Sequence, residues 1–288
     1  MNSALGALLA GATFIALSPI FVRLAMDAGV GPTAAAFWRV ALAVPVLWAV
    51  YGLRRGPRAR RYSGKWLLLS AAGFAFAGDL AFWHTSIKLT SVANSTLLAN
   101  LASIFVTLAA WAFLRQRPSA MFMAGLAGAL AGVAMLVHTS LRFSPAALLG
   151  DALGVVTAMF YAGYLLAVKV LRDRGETTLH LMAVATTLTA ALLLPVALAT
   201  GEAMVPQSGH GWFALAGLAL VSHAAGQGLI AYALAHLPAA FSSVSLLFQP
   251  VMAAAFAWIL LSEPLVPLQV AGAAVVLFGI YLARRGSR

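Results

Sequence analysis

The stretch Arg23-Leu-Ala-Met-Asp27-Ala-Gly29 ends one long apolar run, and Lys169-Val-Leu-Arg-Asp173-Arg-Gly175 ends another, 146 residues later. A basic, an acidic and a glycine position recur in the same order in the two stretches. Gly78-Asp79 likewise has a counterpart in Gly226-Gln227, at an offset of 148. The agreement on nearly one offset indicates that the chain contains two copies of a single unit.

The apolar runs around these stretches are too long and too numerous for a water-soluble protein. Of the 288 residues, 62% are hydrophobic and 9% are charged, whereas soluble domains are about 45–50% apolar and about 25% charged. A helix needs roughly 20 apolar residues to cross a bilayer core. Ten runs have that length: 4–24, 34–53, 66–88, 91–114, 120–138, 148–170, 179–199, 212–235, 239–261 and 265–283. We therefore predict an all-α integral membrane protein with ten transmembrane helices, called spans 1 to 10.

The two copies divide these spans into two repeats of five helices. The first repeat covers residues 1–138 with spans 1–5, and the second covers residues 148–288 with spans 6–10. Because five is an odd number, the second copy enters the membrane from the side opposite to the first. Such inverted repeats are common in secondary transporters.

The distribution of Lys and Arg predicts the orientation of the spans. If the N-terminus is cytoplasmic, the cytoplasmic segments hold 14 of the 18 basic residues, and the outer segments hold 3. Cytoplasmic loops carry such an excess, so we predict that both termini are cytoplasmic and that the chain lies in a bacterial inner membrane. The net charge of +11, densest at Arg54–Arg61, then indicates a topology anchor that contacts anionic lipids and not nucleic acid.

Polar side chains inside the spans predict a shared aqueous cavity. In span 4, Thr96, Asn100, Ser103 and Thr107 follow one another at steps of four and three, which places them on one helical face. Spans 3, 6, 8 and 9 carry comparable groups, which either bond neighbouring helices or line a cavity. The candidate substrate-binding residues are Asp79, Trp83, Asn100, Ser103, Tyr161, Tyr164, His223, Gln227, Ser245 and Gln249.

Asp79 is the most informative of these residues because it lies near the middle of span 3. An isolated carboxylate at that depth costs at least about 2.5–3.5 kcal/mol, so it must be protonated, paired or in contact with water. It could bind a substrate ammonium or carry a proton, or it could pair with Arg39 of span 2. His223 can titrate near neutral pH and is a second candidate for proton coupling.

Prolines inside the spans are candidate hinges. Pro19 in span 1 and Pro250 in span 9 each remove a backbone donor and bend the helix. The chain has no cysteine, which excludes thiolate metal sites and disulfides. It also lacks an interfacial cluster of histidines and acids, so we expect no cofactor and no enzymatic activity.

The last two spans contain the stretches Leu247-Phe-Gln-Pro250-Val-Met-Ala-Ala-Ala-Phe-Ala-Trp258-Ile-Leu-Leu-Ser-Glu263-Pro, Gln269-Val-Ala-Gly272 and Gly279-Ile-Tyr-Leu-Ala-Arg284. These stretches resemble the EamA family of the drug/metabolite transporter (DMT) superfamily, as does Phe37-Trp38-Arg39 in span 2. Ala102-Ser103 differs from the family pattern, which usually has a proline there. The chain looks most like the bacterial aromatic and general amino-acid exporters. The resemblance implies a cavity built from spans 1–4 and 6–9.

These features predict a secondary transporter that exports amino acids, including aromatic ones, or similar small metabolites by alternating access. Its partners would be the small-molecule substrate and membrane lipids, with proton antiport and facilitated diffusion both open. One alternative is export of other small organic compounds or drugs. Another is a polytopic membrane enzyme acting on lipids, for which the sequence supplies no catalytic cluster.

Overall fold

The computed structural model describes residues 2–54, 65–90, 92–115, 117–137, 145–262 and 265–287, and helices are the only regular secondary structure within these ranges. Ten helices are long and apolar enough to cross a membrane, which confirms the ten predicted spans. Their ends agree with the predicted ones within three residues. Spans 1 to 10 are Ser3–Asp27, Pro32–Leu53, Lys65–Leu89, Asn94–Phe113, Ala120–Val137, Ala147–Asp173, Thr178–Ala199, Gly209–Ala233, Ala239–Leu260 and Pro267–Gly286. Most of the predicted basic anchor, residues 55–61, and Glu263 of the family motif lie outside the described residues.

Ten crossings bring both ends of the chain to one face of the bundle. We call this the terminal face; it holds the start of span 1 and the end of span 10. The other face, which holds the end of span 1 and the start of span 2, is called the opposite face.

The most extensive contacts join the first five spans to the last five. Span 5 packs along span 10, span 3 along span 6, and span 1 along span 8. Span 2 contacts spans 7 and 8, span 7 contacts span 3, and span 4 contacts spans 6 and 9, while span 9 contacts span 1. If each span of the first repeat is exchanged with the corresponding span of the second, every contact in this set becomes another contact in the same set. Two repeats related by a two-fold axis require this correspondence. The two repeats are therefore interleaved.

The backbone repeats as well. Gly29 and Gly175, 146 residues apart, end spans 1 and 6 with φ of +88° and +83°. Arg115 and Ser262 end spans 4 and 9 in the left-handed region, at φ of 56° and 55°. A left-handed residue commonly ends a helix because it lets the backbone turn away from the axis. The matching ends show that the weak sequence matches correspond to one repeated structure.

Several spans that meet at the bundle centre are interrupted; span 2, for example, consists of Pro32–Ala41 and Ala43–Leu53. Span 1 consists of the helices Asn2–Ile15 and Ser18–Asp27, and span 9 of Ala239–Ser245 and Phe248–Leu261. Span 4 breaks in the same register as span 9, between Val92–Ala99 and Ala102–Leu114, although it has no proline there. Tightened backbone bonds mark both breaks, since the amide of Ser103 bonds to the Asn100 carbonyl and that of Gln249 to the Leu246 carbonyl. Repeated backbone geometry, and not proline alone, therefore produces the break.

Spans 5 and 10 approach each other through glycines. A Cβ at Gly279 would lie 2.5 Å from the Ala129 nitrogen, and one at Gly132 would lie 2.7 Å from the Gly272 oxygen. Backbone atoms at that distance cannot be moved by a side-chain rotation. The small residues of span 5 thus make a contact within the chain, away from the bundle centre.

Candidate substrate cavity

A cavity of about 110 Å³ lies where the broken spans meet. This volume is well above the roughly 10–15 Å³ that one water molecule needs. Spans 1, 2, 3, 4, 6, 8 and 9 contribute its lining: Ile15, Ala16, Ser18, Pro19, Arg39, Asp79, Leu80, Trp83, Thr96, Ala99, Asn100, Tyr161, Gln227, Gln249, Pro250 and Ala253. Six of the ten predicted binding residues line this cavity, and so do both predicted hinge prolines.

Several buried polar atoms in this lining have no protein hydrogen-bond partner. They are Ser18 Oγ, Arg39 Nε, Tyr161 Oη, Gln227 Oε1 and Gln249 Nε2. The Tyr161 hydroxyl faces the side-chain amides of Gln227 and Gln249, yet these atoms make no hydrogen bond of regular geometry. Leaving a buried polar group unpaired costs about 1–3 kcal/mol, and most native proteins avoid it. Five such atoms around one cavity indicate a place where a polar ligand or water completes the bonding.

Arg39 and Asp79 bring opposite charges into the same cavity. Arg39 is 4% exposed, and its guanidinium carbon lies 6.0 Å from the centre of the Phe76 ring. Asp79 is partly exposed and interacts electrostatically with Arg39. Among the described residues, however, these two form no ion pair within 4.0 Å. Arg39 was not among the predicted binding residues, whereas the structure places it in the cavity wall.

The other four predicted binding residues lie behind the wall. The hydroxyls of Ser103 and Ser245 donate to the carbonyls of Asn100 and Phe241, at 2.9 Å each. Tyr164 is 2% exposed and packs on Phe76 with ring centres 4.7 Å apart.

His223 occupies a sealed position next to this group. It stacks on the other side of the aromatic cluster, 5.2 Å from the Phe76 ring centre, and its Nε2 lies 2.9 Å from the Thr186 hydroxyl. The ring is 1% exposed and does not line the cavity. Phe76 therefore links Arg39, Tyr164 and His223 into one support for the wall.

Span 8 contains a feature that sequence reasoning missed. Between the helices Gly209–Gly217 and Gly228–Ala233, the residues Leu218–Gln227 form a π-helix. Such segments are rare and occur frequently at functional sites. Here the wider turn ends at Gln227, whose amide reaches the cavity. No local sequence signal announces the change from α to π geometry.

The two repeats are joined on the terminal face by a buried ion pair. Lys65 at the start of span 3 lies 2.7 Å from Glu176, between spans 6 and 7, and the Glu176 side chain is 0% exposed. Glu176 also contacts His180 Nδ1 at 2.9 Å, and the Arg172 guanidinium donates to the Glu176 carbonyl. This cluster holds the terminal ends of spans 3, 6 and 7 together.

A different acid organises the opposite face. Glu202, between spans 7 and 8, accepts hydrogen bonds from the Thr33 and Ala34 backbone nitrogens at 2.8 and 3.3 Å. It also forms an ion pair with Lys88 at the end of span 3. A carboxylate at these free amides stabilises the start of span 2. Since Arg39 lies two turns further along that helix, this contact helps to fix its position.

Comparisons with known proteins match this architecture. The EamA-like transporter family matches residues 2–138 and 148–285, nearly the whole chain in two copies. The chain belongs to the EamA-like transporter family. A protein of Archaeoglobus fulgidus described as an uncharacterized transporter is 30% identical over 288 residues and 98% of both chains. A solved crystal structure aligns with a TM-score of 0.84 over 98% of both chains at 18% identity, which supports the fold alone.

Membership in the EamA-like family identifies the general activity. The chain is a multi-pass membrane transporter and not an enzyme. It has two repeats, as predicted from the short matches between its halves. An EamA-like transporter handles small-molecule substrates within the membrane.

Proposed function

We propose that this EamA-like transporter exports amino acids or similar small metabolites across a bacterial inner membrane by alternating access. The unpaired polar atoms around the central cavity carry this proposal. Gln249 Nε2 is a donor, Gln227 Oε1 is an acceptor, and the Tyr161 hydroxyl can act as either. A ligand with both donors and acceptors would satisfy all three, and an amino acid has an ammonium and a carboxylate.

The remainder of the lining suits a variable side chain. Ile15, Leu80, Ala99 and Ala253 are apolar, and Trp83 adds an aromatic surface. A mostly apolar pocket with a few placed polar groups fixes orientation while tolerating differences in substrate shape. This combination favours a transporter with a broad range of substrates. The resemblance of the chain to bacterial aromatic and general amino-acid exporters supports outward transport.

The broken helices support alternating access as the mechanism. Pro19 and Pro250 line the cavity immediately after the breaks in spans 1 and 9. Helix interruptions at mid-membrane are common at transporter binding sites, because they expose backbone groups and let helix segments move. The buried Lys65–Glu176 pair would keep the terminal face closed while substrate leaves towards the opposite face. We further propose that the terminal face is cytoplasmic.

Substitutions that remove the unpaired polar atoms but keep the side-chain size should reduce transport. In liposomes loaded with radiolabelled amino acids, we expect Tyr161→Phe and Gln249→Met each to reduce kcat/KM about fivefold. One hydrogen bond is worth about 1 kcal/mol, which corresponds to that factor. The measurement is initial flux against substrate concentration, with and without a pH gradient, in both orientations of the protein.

Tyr281→Phe is the matched control, because Tyr281 is 48% exposed on span 10 and away from the cavity. It should transport like the unmodified protein. Normal flux in both Tyr161→Phe and Gln249→Met would show that this cavity does not bind the substrate. If no amino acid moves but other organic solutes do, the amino-acid assignment fails while the transport activity remains.

A further inference from the structure

We infer that Arg39 and Asp79 are specificity-determining residues that select zwitterions, with Arg39 binding the α-carboxylate and Asp79 the α-ammonium of one ligand. The inference rests on the proposed amino-acid transport and deepens it. Its basis is the presence of two opposite charges in one cavity wall without a direct bond between them.

Among the described residues, no carboxylate forms an ion pair with Arg39 within 4.0 Å. Arg39 is 4% exposed, its Nε has no hydrogen-bond partner, and its guanidinium rests near the face of Phe76. A guanidinium presents a planar fork of donors that fits a carboxylate with two parallel bonds. A carboxylate of a ligand in the cavity could accept hydrogen bonds from this guanidinium.

Two other acids are engaged at the faces of the bundle and do not line the cavity. Glu202 is bound by Lys88 and by the start of span 2, and Glu176 is bound by Lys65. Asp79 is the acid among the cavity-lining residues of the described chain. Asp79 and Arg39 therefore attract each other from separate positions in the lining, and among the described residues neither forms an ion pair within 4.0 Å.

Charge balance then selects the ligand. A free carboxylic acid would pair with Arg39 and leave Asp79 uncompensated at mid-membrane, while a simple amine would do the reverse. Burying a charge without a partner is costly, so each singly charged ligand is penalised. A zwitterion satisfies both residues at once, and its side chain is free to contact Trp83 and the apolar lining. Selection thus depends on the shared α-groups and not on the side chain.

Competition for binding of radiolabelled phenylalanine to the purified protein tests this inference. The competitors are phenylalanine, 2-phenylethylamine, which lacks the carboxylate, and 3-phenylpropionate, which lacks the ammonium. In the unmodified protein both singly charged competitors should bind at least about tenfold more weakly than phenylalanine, because each forfeits one charge-assisted contact. The same set built on leucine controls for the choice of side chain.

Two variants should change selectivity in opposite ways. Arg39→Gln should remove the preference for phenylalanine over 2-phenylethylamine, and Asp79→Asn should remove the preference over 3-phenylpropionate. If Arg39 or Asp79 had a purely structural role, its substitution would weaken the binding of all three ligands to the same extent. Arg39→Gln/Asp79→Asn, which buries no unpaired charge, should bind the three ligands equally and remain folded.

The outcomes separate this inference from the proposed function. If the unmodified protein binds neither phenylalanine nor leucine, the amino-acid assignment of the proposed function is wrong. If it binds them but binds the amine or the acid equally well, amino-acid transport stands and the zwitterion inference is wrong. This second comparison needs no variant, so it remains decisive even if Arg39→Gln fails to fold. A uniform loss across all three ligands in both variants would also overturn the inference.

Discussion

Replacing Lys65 with methionine should destabilise the folded bundle by about 3–5 kcal/mol, because it leaves the buried Glu176 carboxylate without its cation. The Glu176 side chain is 0% exposed and lies 2.7 Å from Lys65. Of the other neighbours, His180 carries a charge only when it is protonated, and the Arg172 guanidinium donates to the Glu176 backbone carbonyl. Thermal unfolding in detergent, measured beside the unmodified protein, gives the change in stability.

The chain offers a matched control for this prediction. Lys169 and Asp173 form a shorter pair, at 2.6 Å, but the Asp173 side chain is 48% exposed. Because Asp173 stays in contact with solvent when Lys169 is removed, Lys169→Met should change stability little. Lys65→Met/Glu176→Gln should recover much of the loss, since no unpaired charge remains. Equal effects of Lys65→Met and Lys169→Met would contradict the assigned role of burial.

Replacing Lys65 with methionine should also change the equilibrium between the closed and open conformations of the terminal face. The pair joins span 3 of the first repeat to the segment between spans 6 and 7 of the second. Its removal favours states in which these repeats separate on the terminal face. A water-soluble thiol reagent should therefore label a cysteine introduced at Thr178 faster in Lys65→Met than in the unmodified background.

A second large effect is expected where spans 5 and 10 meet. Gly279→Ala should cost about 1–3 kcal/mol, because the added Cβ would lie 2.5 Å from the Ala129 nitrogen and 2.6 Å from the Gly125 oxygen. Both are backbone atoms, so the helices must move apart to accommodate it. Unfolding in detergent, followed by circular dichroism, measures the loss.

Gly128→Ala is the control for this substitution and should have the opposite sign. The nearest atom to its added Cβ is 3.9 Å away, which is ordinary contact. Alanine is favoured over glycine in a helix by about 1 kcal/mol, so Gly128→Ala should be neutral or stabilising. A loss of stability at Gly128 as large as at Gly279 would show that the close backbone approach at Gly279 is not the cause of its cost.

Sequence patterns were sufficient to predict the fold because the hydrocarbon core of a bilayer strongly restricts the backbone conformations of a segment that crosses it. A segment of about 20 apolar residues has few alternatives to a helix in a bilayer, so the span limits could be predicted closely. The repeat was predictable because its turns need particular residues, such as the glycines that end spans 1 and 6 at positive φ. These signals are local, and each is visible in a few residues.

Only part of the site could be predicted from the sequence. A polar helical face shows which side of a helix points into the bundle, but it does not show whether a cavity or another helix lies there. Asn100 and Ser103 share a face of span 4, yet Asn100 lines the cavity while the Ser103 hydroxyl bonds to its own helix. The break in span 4 lies between the helices that hold these residues. In span 8, the π-helix Leu218–Gln227 is a second distortion of the regular helix, and it ends at a cavity residue. Such distortions depend on packing between distant spans, which periodicity within one span does not encode.

The interleaving of the two repeats has a consequence for biosynthesis. The main partners of spans 1, 3 and 5 are spans 8, 6 and 10, all of which are synthesised later. The first five helices must therefore wait in the lipid beside the translocation machinery until the ribosome has delivered the rest. A polypeptide truncated after residue 138 would be inserted but left without its packing partners, and quality-control proteases should remove it.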